Sequence, residues 1–226
     1  MDLLLDRDFM NEFLNPIWLS LKIATISGIV VIIIGTLAGR LLARQSFKGK
    51  AILETVFMLP MVLPPTVVGF FLIVIFGKNS IAGQAIEWIF KQPIIFTWWA
   101  AVIASIVVAF PLMYQSAKSG FHGVSRDIED AARVDGANEW KLFLLISVPL
   151  ASKSLITGSI LSFARALGEF GATLMFAGNI PGKTQTIPTA IYIALDSGNM
   201  TMAWMWVISI VILSFIMLLT VRIKQE

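Results

Sequence analysis

Residues 124–149 read VSRDIEDAARVDGANEWKLFLLISVP, the longest polar segment in a chain of 226 residues. Its first third carries the marks of a helix start. Ser125 is a residue type that accepts a hydrogen bond from a first-turn N–H, and Asp127, Glu129 and Asp130 put negative charge where the helix dipole favours it. Gly136 breaks that helix, and a second amphipathic turn over residues 139–145 leads to Pro149. The segment therefore predicts a short helix, a sharp bend and a second helix.

The flanks say where this segment sits. Apolar runs at residues 17–37, 52–76, 94–117, 155–177 and 202–221 are each long enough to span. About 20 helical residues rise about 30 Å, the thickness of the hydrocarbon core, and a lone segment in lipid satisfies its backbone only as a helix. Hydrophobic residues make up 57% of the chain and charged residues 14%, with a mean hydropathy of +0.84. Soluble domains carry about 25% charged residues. The expected fold class is an all-α integral membrane protein, one domain over residues 1–226, with five transmembrane helices. Two shorter apolar stretches, 81–90 and 186–195, read as outer-surface or re-entrant helices, either of which would be a sixth, short membrane segment. The N-terminus is acidic (Asp2, Asp6, Asp8, Glu12), where a secretory signal would be basic, so the first run is expected to be retained.

Basic residues set the orientation. Arg40, Arg44, Lys48 and Lys50 follow the first run; Lys118, Arg126, Arg133, Lys141 and Lys153 fall between the third and fourth; Arg222 and Lys224 follow the fifth. The remaining loops hold only Lys78, Lys91 and Lys183. By the positive-inside rule the N-terminus is outside, the C-terminus is cytoplasmic, and residues 118–153 form a cytoplasmic loop. The net charge of +3 thus marks membrane orientation rather than a nucleic-acid surface.

Within the runs, Pro60, Pro64, Pro65 and Pro111 predict kinks, and the adjacent pair Pro64–Pro65 removes two backbone donors in succession. Gly35-x-x-x-Gly39 permits close helix packing. Arg165 and Glu169 lie in the fourth run, four residues apart, hence on one helical face. A lone charge at the bilayer centre costs about 2.5–3.5 kcal/mol on insertion scales, so the two are expected to pair and face the protein interior or a water-filled path. Either a packing ion pair or an element of a translocation path or gate, together with Pro64 and Pro65, is consistent with that placement.

The polar segment also resembles a known family. Importer permeases of the ABC class carry Glu-Ala-Ala, three residues, Gly, nine residues and Ile-x-Leu-Pro. This chain has Asp130-Ala131-Ala132, Gly136 and Ile146-x-Val148-Pro149 at that spacing, with Asp130 for Glu and Val148 for Leu. The stretches LPMVLPPTVVGF (59–70) and ARALGEFGATLMFAGNIPGKTQTIPTAIY (164–192) are similar to permeases of molybdate importers. The core Arg165, Gly168, Glu169, Phe170, Gly171 is shared with sulfate permeases, while Gly182–Thr186 stands closer to the molybdate branch. The resemblance implies a type I ABC importer transmembrane fold and a homodimer. Two cytoplasmic ATPase subunits would dock on the coupling loop, at Glu129, Asp130, Ala131, Ala132, Gly136, Ile146 and Pro149. A separate extracytoplasmic molybdate-binding protein would deliver the oxyanion. ATP would be bound by the ATPase partner, and this chain would carry no cofactor and no catalytic residue. Sulfate or tungstate import by the same architecture, and a self-contained secondary transporter, remain the alternatives.

Other chemistries lack their residues. There is no Cys and one His, His122, so no His/Cys metal set can be assembled. Residues 177–184, AGNIPGKT, approximate a phosphate-binding loop, but Ala177 stands where the first Gly belongs and a membrane run precedes it. No nucleophile–base pattern points to an enzyme.

Overall fold

The computed structural model describes residues 7–225, and every regular element among them is helical. The first helix, α1 (Arg7–Arg44), has 38 residues and extends beyond the expected span at both ends. α2 (Lys50–Val62) and α3 (Pro65–Phe76) together occupy the second apolar run, but the chain bends by 117° between them. The short α4 (Ile81–Phe90) follows, capped by Ser80, whose hydroxyl accepts from the Gly83 N–H at 2.9 Å. α5 (Trp98–His122) is the best buried of the three long helices and packs against α1, α2, α3 and the later helices Ser152–Leu167 and Gly171–Phe176.

The polar segment then forms α6 (Arg126–Val134), α7 (Glu139–Leu142), a π-helical turn (Phe143–Ser147) and α8 (Val148–Leu150). α9 (Ser152–Leu167) and α10 (Gly171–Phe176) cover most of the fourth run, with the helix interrupted at residues 168–170. α11 (Ile187–Asp196) and α12 (Met200–Gln225) complete the chain. α1, α5 and α12 are each long and apolar enough to cross a membrane, and two bent pairs, α2–α3 and the 139–167 segment, bring the number to five if each pair is one span. The stretches expected to be short helices, 81–90 and 186–195, are α4 and α11.

Small residues decide which helices meet. A Cβ at Gly35 would lie 2.7 Å from Met113 Cγ, and one at Gly39 would lie 2.6 Å from Ala117 Cβ. The Gly35-x-x-x-Gly39 stripe is therefore the line along which α1 lies against α5. Two apolar clusters run along this contact. One joins Ile23, Val68, Leu72, Ala101, Ala104, Val108 and Phe176. The other joins Val31, Ala43, Met113, Ala117, Phe121 and Leu167. A third cluster packs α11 on α12 through Ile187, Ala190, Met202 and Trp206. It is tied to α1 by two long-range bonds: the Ile187 N–H donates to Ser20 Oγ at 2.8 Å, and Trp206 Nε1 donates to the Phe13 carbonyl at 3.0 Å.

Candidate coupling loop and translocation elements

α6 forms as its sequence predicts. The Ser125 hydroxyl accepts from the Asp127 N–H, and Asp127 and Glu129 occupy the first turn. It ends where Gly136 takes φ +88°, a backbone region that costs an L-residue about 1–2 kcal/mol. Nothing lies within 4 Å of where a Cβ would stand there, so the requirement for glycine is conformational, not steric. Asn138 caps α7 by accepting from the Lys141 N–H at 2.8 Å.

The two faces of α6 differ. Glu129 is fully buried, although its neighbours on either side are exposed. Its carboxylate accepts from Arg40 Nη1 at 2.8 Å, from Arg44 Nη1, and from Ser147 Oγ at 2.7 Å. Arg44 Nη2 also donates to the Val124 carbonyl at 2.7 Å. Thus the last turn of α1, the start of α6 and the π-helical turn converge on one carboxylate. Arg40 and Arg44 are four residues apart and present one face. Bonds of this kind, charged on one or both sides, are about twice as strong as neutral ones.

The sequence expectation puts Glu129 on the partner-facing loop; within the chain its carboxylate is buried and bonded to Arg40, Arg44 and Ser147. The outward face carries Asp130, Ala131 and Arg133, with Ile128, Val134 and Trp140 exposed beside them. Arg133 bonds Glu139 Oε1 at 2.8 Å and Asp130 Oδ1 at 2.7 Å, bracing α6 against α7. Glu139 first, and then Asp130, push the Arg133 guanidinium above its ordinary pKa. Ala132 turns inward, Gly136 and Pro149 are exposed, and Ile146 is half-buried.

The second group of expected residues also comes together. Arg165 Nη1 lies 2.6 Å from Glu169 Oε2, the pairing that the four-residue spacing predicts. Glu169, however, sits in the break between α9 and α10 rather than inside a continuous span. Its Oε1 accepts from the Ala172 N–H at 2.8 Å and so caps α10. Pro65 begins α3, after Leu63 and Pro64 adopt extended backbone that ends α2. The two breaks touch: a Cβ at Gly171 would lie 2.9 Å from Pro65 Cβ, and one at Gly69 would lie 2.6 Å from Met175 Cβ. α3 and α10 therefore start together and run side by side in the same direction, as the Phe76–Phe176 ring contact at 5.9 Å confirms.

Two features escaped the sequence reading. Arg40 and Arg44 registered only as topology charges, although their spacing on the last turn of α1 marked a shared face. Glu54 forms a cluster with Lys118 Nζ at 2.6 Å and the Tyr114 hydroxyl at 3.1 Å, joining α2 to α5. In residues 177–184, the Thr184 hydroxyl accepts from the Ile180 N–H at 2.9 Å and is buried, so this loop is closed on itself. No group of three or more His, Cys, Asp or Glu side chains that could hold a metal occurs among the described residues.

This helix order, with two broken helices packed at their breaks and a polar helical loop braced to the end of α1, is the architecture of the membrane-spanning subunits of ABC importers. The fold matches that subunit architecture in inward-facing structures of the MetNI methionine ABC transporter, with a TM-score of 0.72 over 96% of each chain at 16% identity. Residues 31–224 match the family described as the binding-protein-dependent transport system inner membrane component, and the chain belongs to that family. It is a multi-pass inner membrane permease component, and ATP hydrolysis in such systems lies on a separate subunit. Members of this family bind no cofactor themselves. Among its relatives is YvgM of Bacillus subtilis (strain 168), carrying the name of a molybdenum transport system permease protein, at 70% identity over 95% of each chain. The molybdenum transport system permease protein ModB of Escherichia coli (strain K12) is 39% identical, over 94% of this chain and 96% of its own length.

Proposed function

We propose that this chain is the permease subunit of an ATP-driven importer that carries molybdate across the cytoplasmic membrane. Relatives named for molybdenum transport at 70% and 39% identity support the substrate. The observation that carries the mechanism is the rigid mounting of α6. A helix whose outer face holds exposed Asp130, Ala131 and Val134 is fixed on its inner face to α1 through Glu129. A partner pushing on α6 moves the membrane helices with it.

In this proposal the whole chain, 1–226, is one transmembrane domain that works as a homodimer, with its N-terminus outside and its C-terminus cytoplasmic. Residues 118–153 are the cytoplasmic coupling loop. A pair of ATPase subunits contacts Asp130, Ala131, Gly136, Ile146 and Pro149, while the inward-facing Glu129 and Ala132 hold that surface from behind. A molybdate-binding protein delivers the oxyanion from outside. ATP draws the ATPases together, and the movement reaches the touching breaks at Pro64–Pro65 and Glu169, where the helices have a place to hinge. Arg165 is already neutralised by Glu169, so this pair serves the hinge better than it attracts a dianion.

Radiolabelled molybdate uptake into proteoliposomes holding the chain with its ATPase and binding protein tests this reading, comparing the native chain with Gly136→Trp. Uptake that requires ATP and is lost in the variant is expected. Uptake persisting without ATP would sink the ABC mechanism. ATP-driven uptake of sulfate or tungstate, but not molybdate, would correct the substrate.

A further inference from the structure

If the charged pair at the helix break is neutral overall, an oxyanion crossing this protein needs a cation elsewhere. Most of the basic residues near the membrane helices are already engaged. Arg40 and Arg44 bind Glu129, Lys118 binds Glu54, and Arg165 binds Glu169. Lys22 lies over the Trp98 ring at 3.8 Å. Lys153 forms no ion pair among the described residues.

Lys153 borders a groove of about 400 Å³ between α5 and α9, lined by Gln115, Ser116, Ser119, Lys153, Ser154 and Thr157. Not one lining residue is apolar or acidic. The groove exists because the two helices approach closely along its floor: a Cβ at Gly158 would lie 2.5 Å from Ser116 Cβ, and one at Gly120 would lie 2.7 Å from Ser154 Cβ. Hydroxyls on membrane helices ordinarily bond back to the carbonyl four residues earlier, as Ser27, Ser159 and Ser209 do here. Gln115, Ser116, Ser119 and Ser154 make no side-chain hydrogen bond with the described residues. Their donors are open, and Gln115 and Ser119, four apart on α5, are exposed. A wholly polar face at the adjoining ends of two otherwise apolar helices suits an aqueous mouth better than a lipid-facing surface.

We propose that the α5–α9 groove is a site for a tetrahedral oxyanion, with Lys153 as the cation and Gln115, Ser116, Ser119 and Ser154 as donors. It forms the inner mouth of the translocation path. The position follows from the importer reading, because α5 ends and α9 begins beside the cytoplasmic loop. A phospholipid headgroup presents the same tetrahedral chemistry as a free oxyanion, so the test separates the two sources.

The permease–ATPase complex, without binding protein and in a phosphate-free maltoside, is dialysed to equilibrium against radiolabelled molybdate. Native chain, Lys153→Met and Lys153→Arg are compared. Binding weakened about tenfold or more in Lys153→Met and retained in Lys153→Arg is the expected result for a free oxyanion. Native mass spectrometry of complexes taken from phospholipid bilayers reads the other source: a retained phospholipid that Lys153→Met loses assigns the site to a headgroup. If neither molybdate binding nor lipid retention depends on Lys153, the site does not exist. Should Lys153→Met fail to co-purify with the ATPase, Gln115→Leu, which leaves the charge in place, carries the same two measurements. ATP-driven uptake by the native complex is scored separately. Its absence would refute the importer reading while leaving Lys153-dependent oxyanion binding standing.

Discussion

At the scale of single residues, the informative contrast is between Glu129 and its neighbour Asp130. Both are acidic, both lie in the first turns of one short helix, and by sequence both read as charges offered to a partner. The structure buries Glu129 against two guanidinium groups and leaves Asp130 in solvent. Removing one partner of a buried pair leaves uncompensated charge and costs about 3–5 kcal/mol, whereas an exposed pair contributes about 0–1 kcal/mol. Glu129→Gln, which keeps the shape but not the charge, is expected to lower the melting temperature of the purified chain in detergent by several degrees. Asp130→Ala is expected to leave it unchanged. Equal melting temperatures would show that the Arg40–Arg44–Glu129 cluster does not hold α6. The inward turn of Glu129 was not legible in the sequence, because which acid of a pair faces in depends on where α1 ends, 85 residues away. The Arg165–Glu169 pair was legible, because both members sit one helical turn apart and need no tertiary information.

At the scale of elements, the prolines announced a break in the second run but not its size. Pro64 and Pro65 lie one after the other; Leu63 and Pro64 are extended, and the helix restarts at an angle of 117°. The break in the fourth run had no proline to announce it. There Glu169 leaves the helix path and caps α10 while α3 lies against the same break, so the break is expected to depend on α3. That dependence on α3 is open to test. A side chain at Gly69 would meet Met175 Cβ at 2.6 Å and the Ala172 backbone at 3.1 Å, whereas one at Gly168 meets nothing closer than 3.5 Å. Gly69→Val is therefore expected to force α3 from α10 and destabilise the chain by about 1–3 kcal/mol. Gly168→Ala is expected to be close to neutral. Thermal unfolding followed by tryptophan fluorescence distinguishes them, and equal stability of the two variants would mean that α3 and α10 do not pack as described.

At the scale of the whole molecule, the distribution of charge and aromatic residues along the long helices gives the protein two unlike ends. One end gathers Arg40, Arg44, Lys118 and Glu54 around the α6–α8 loop. The other holds the stacked Trp98–Trp99 pair, with Lys22 against Trp98. Trp is enriched at both membrane boundaries and Lys/Arg on the cytoplasmic side, so the basic loop end is the one proposed to be cytoplasmic. The absence of cysteine makes this measurable without background labelling. Lys183→Cys lies in the 177–184 loop and Lys141→Cys on α7, and both positions are exposed. In right-side-out membrane vesicles an impermeant maleimide is expected to label Lys183→Cys directly and Lys141→Cys only after permeabilisation. Bound ATPase is further expected to protect Lys141→Cys in permeabilised vesicles, because α7 flanks the proposed docking face. Labelling of Lys141→Cys in sealed vesicles would invert the topology. It would also remove the ATPase-facing role of α6, since a loop on the outer side has no access to cytosolic ATP-driven movement.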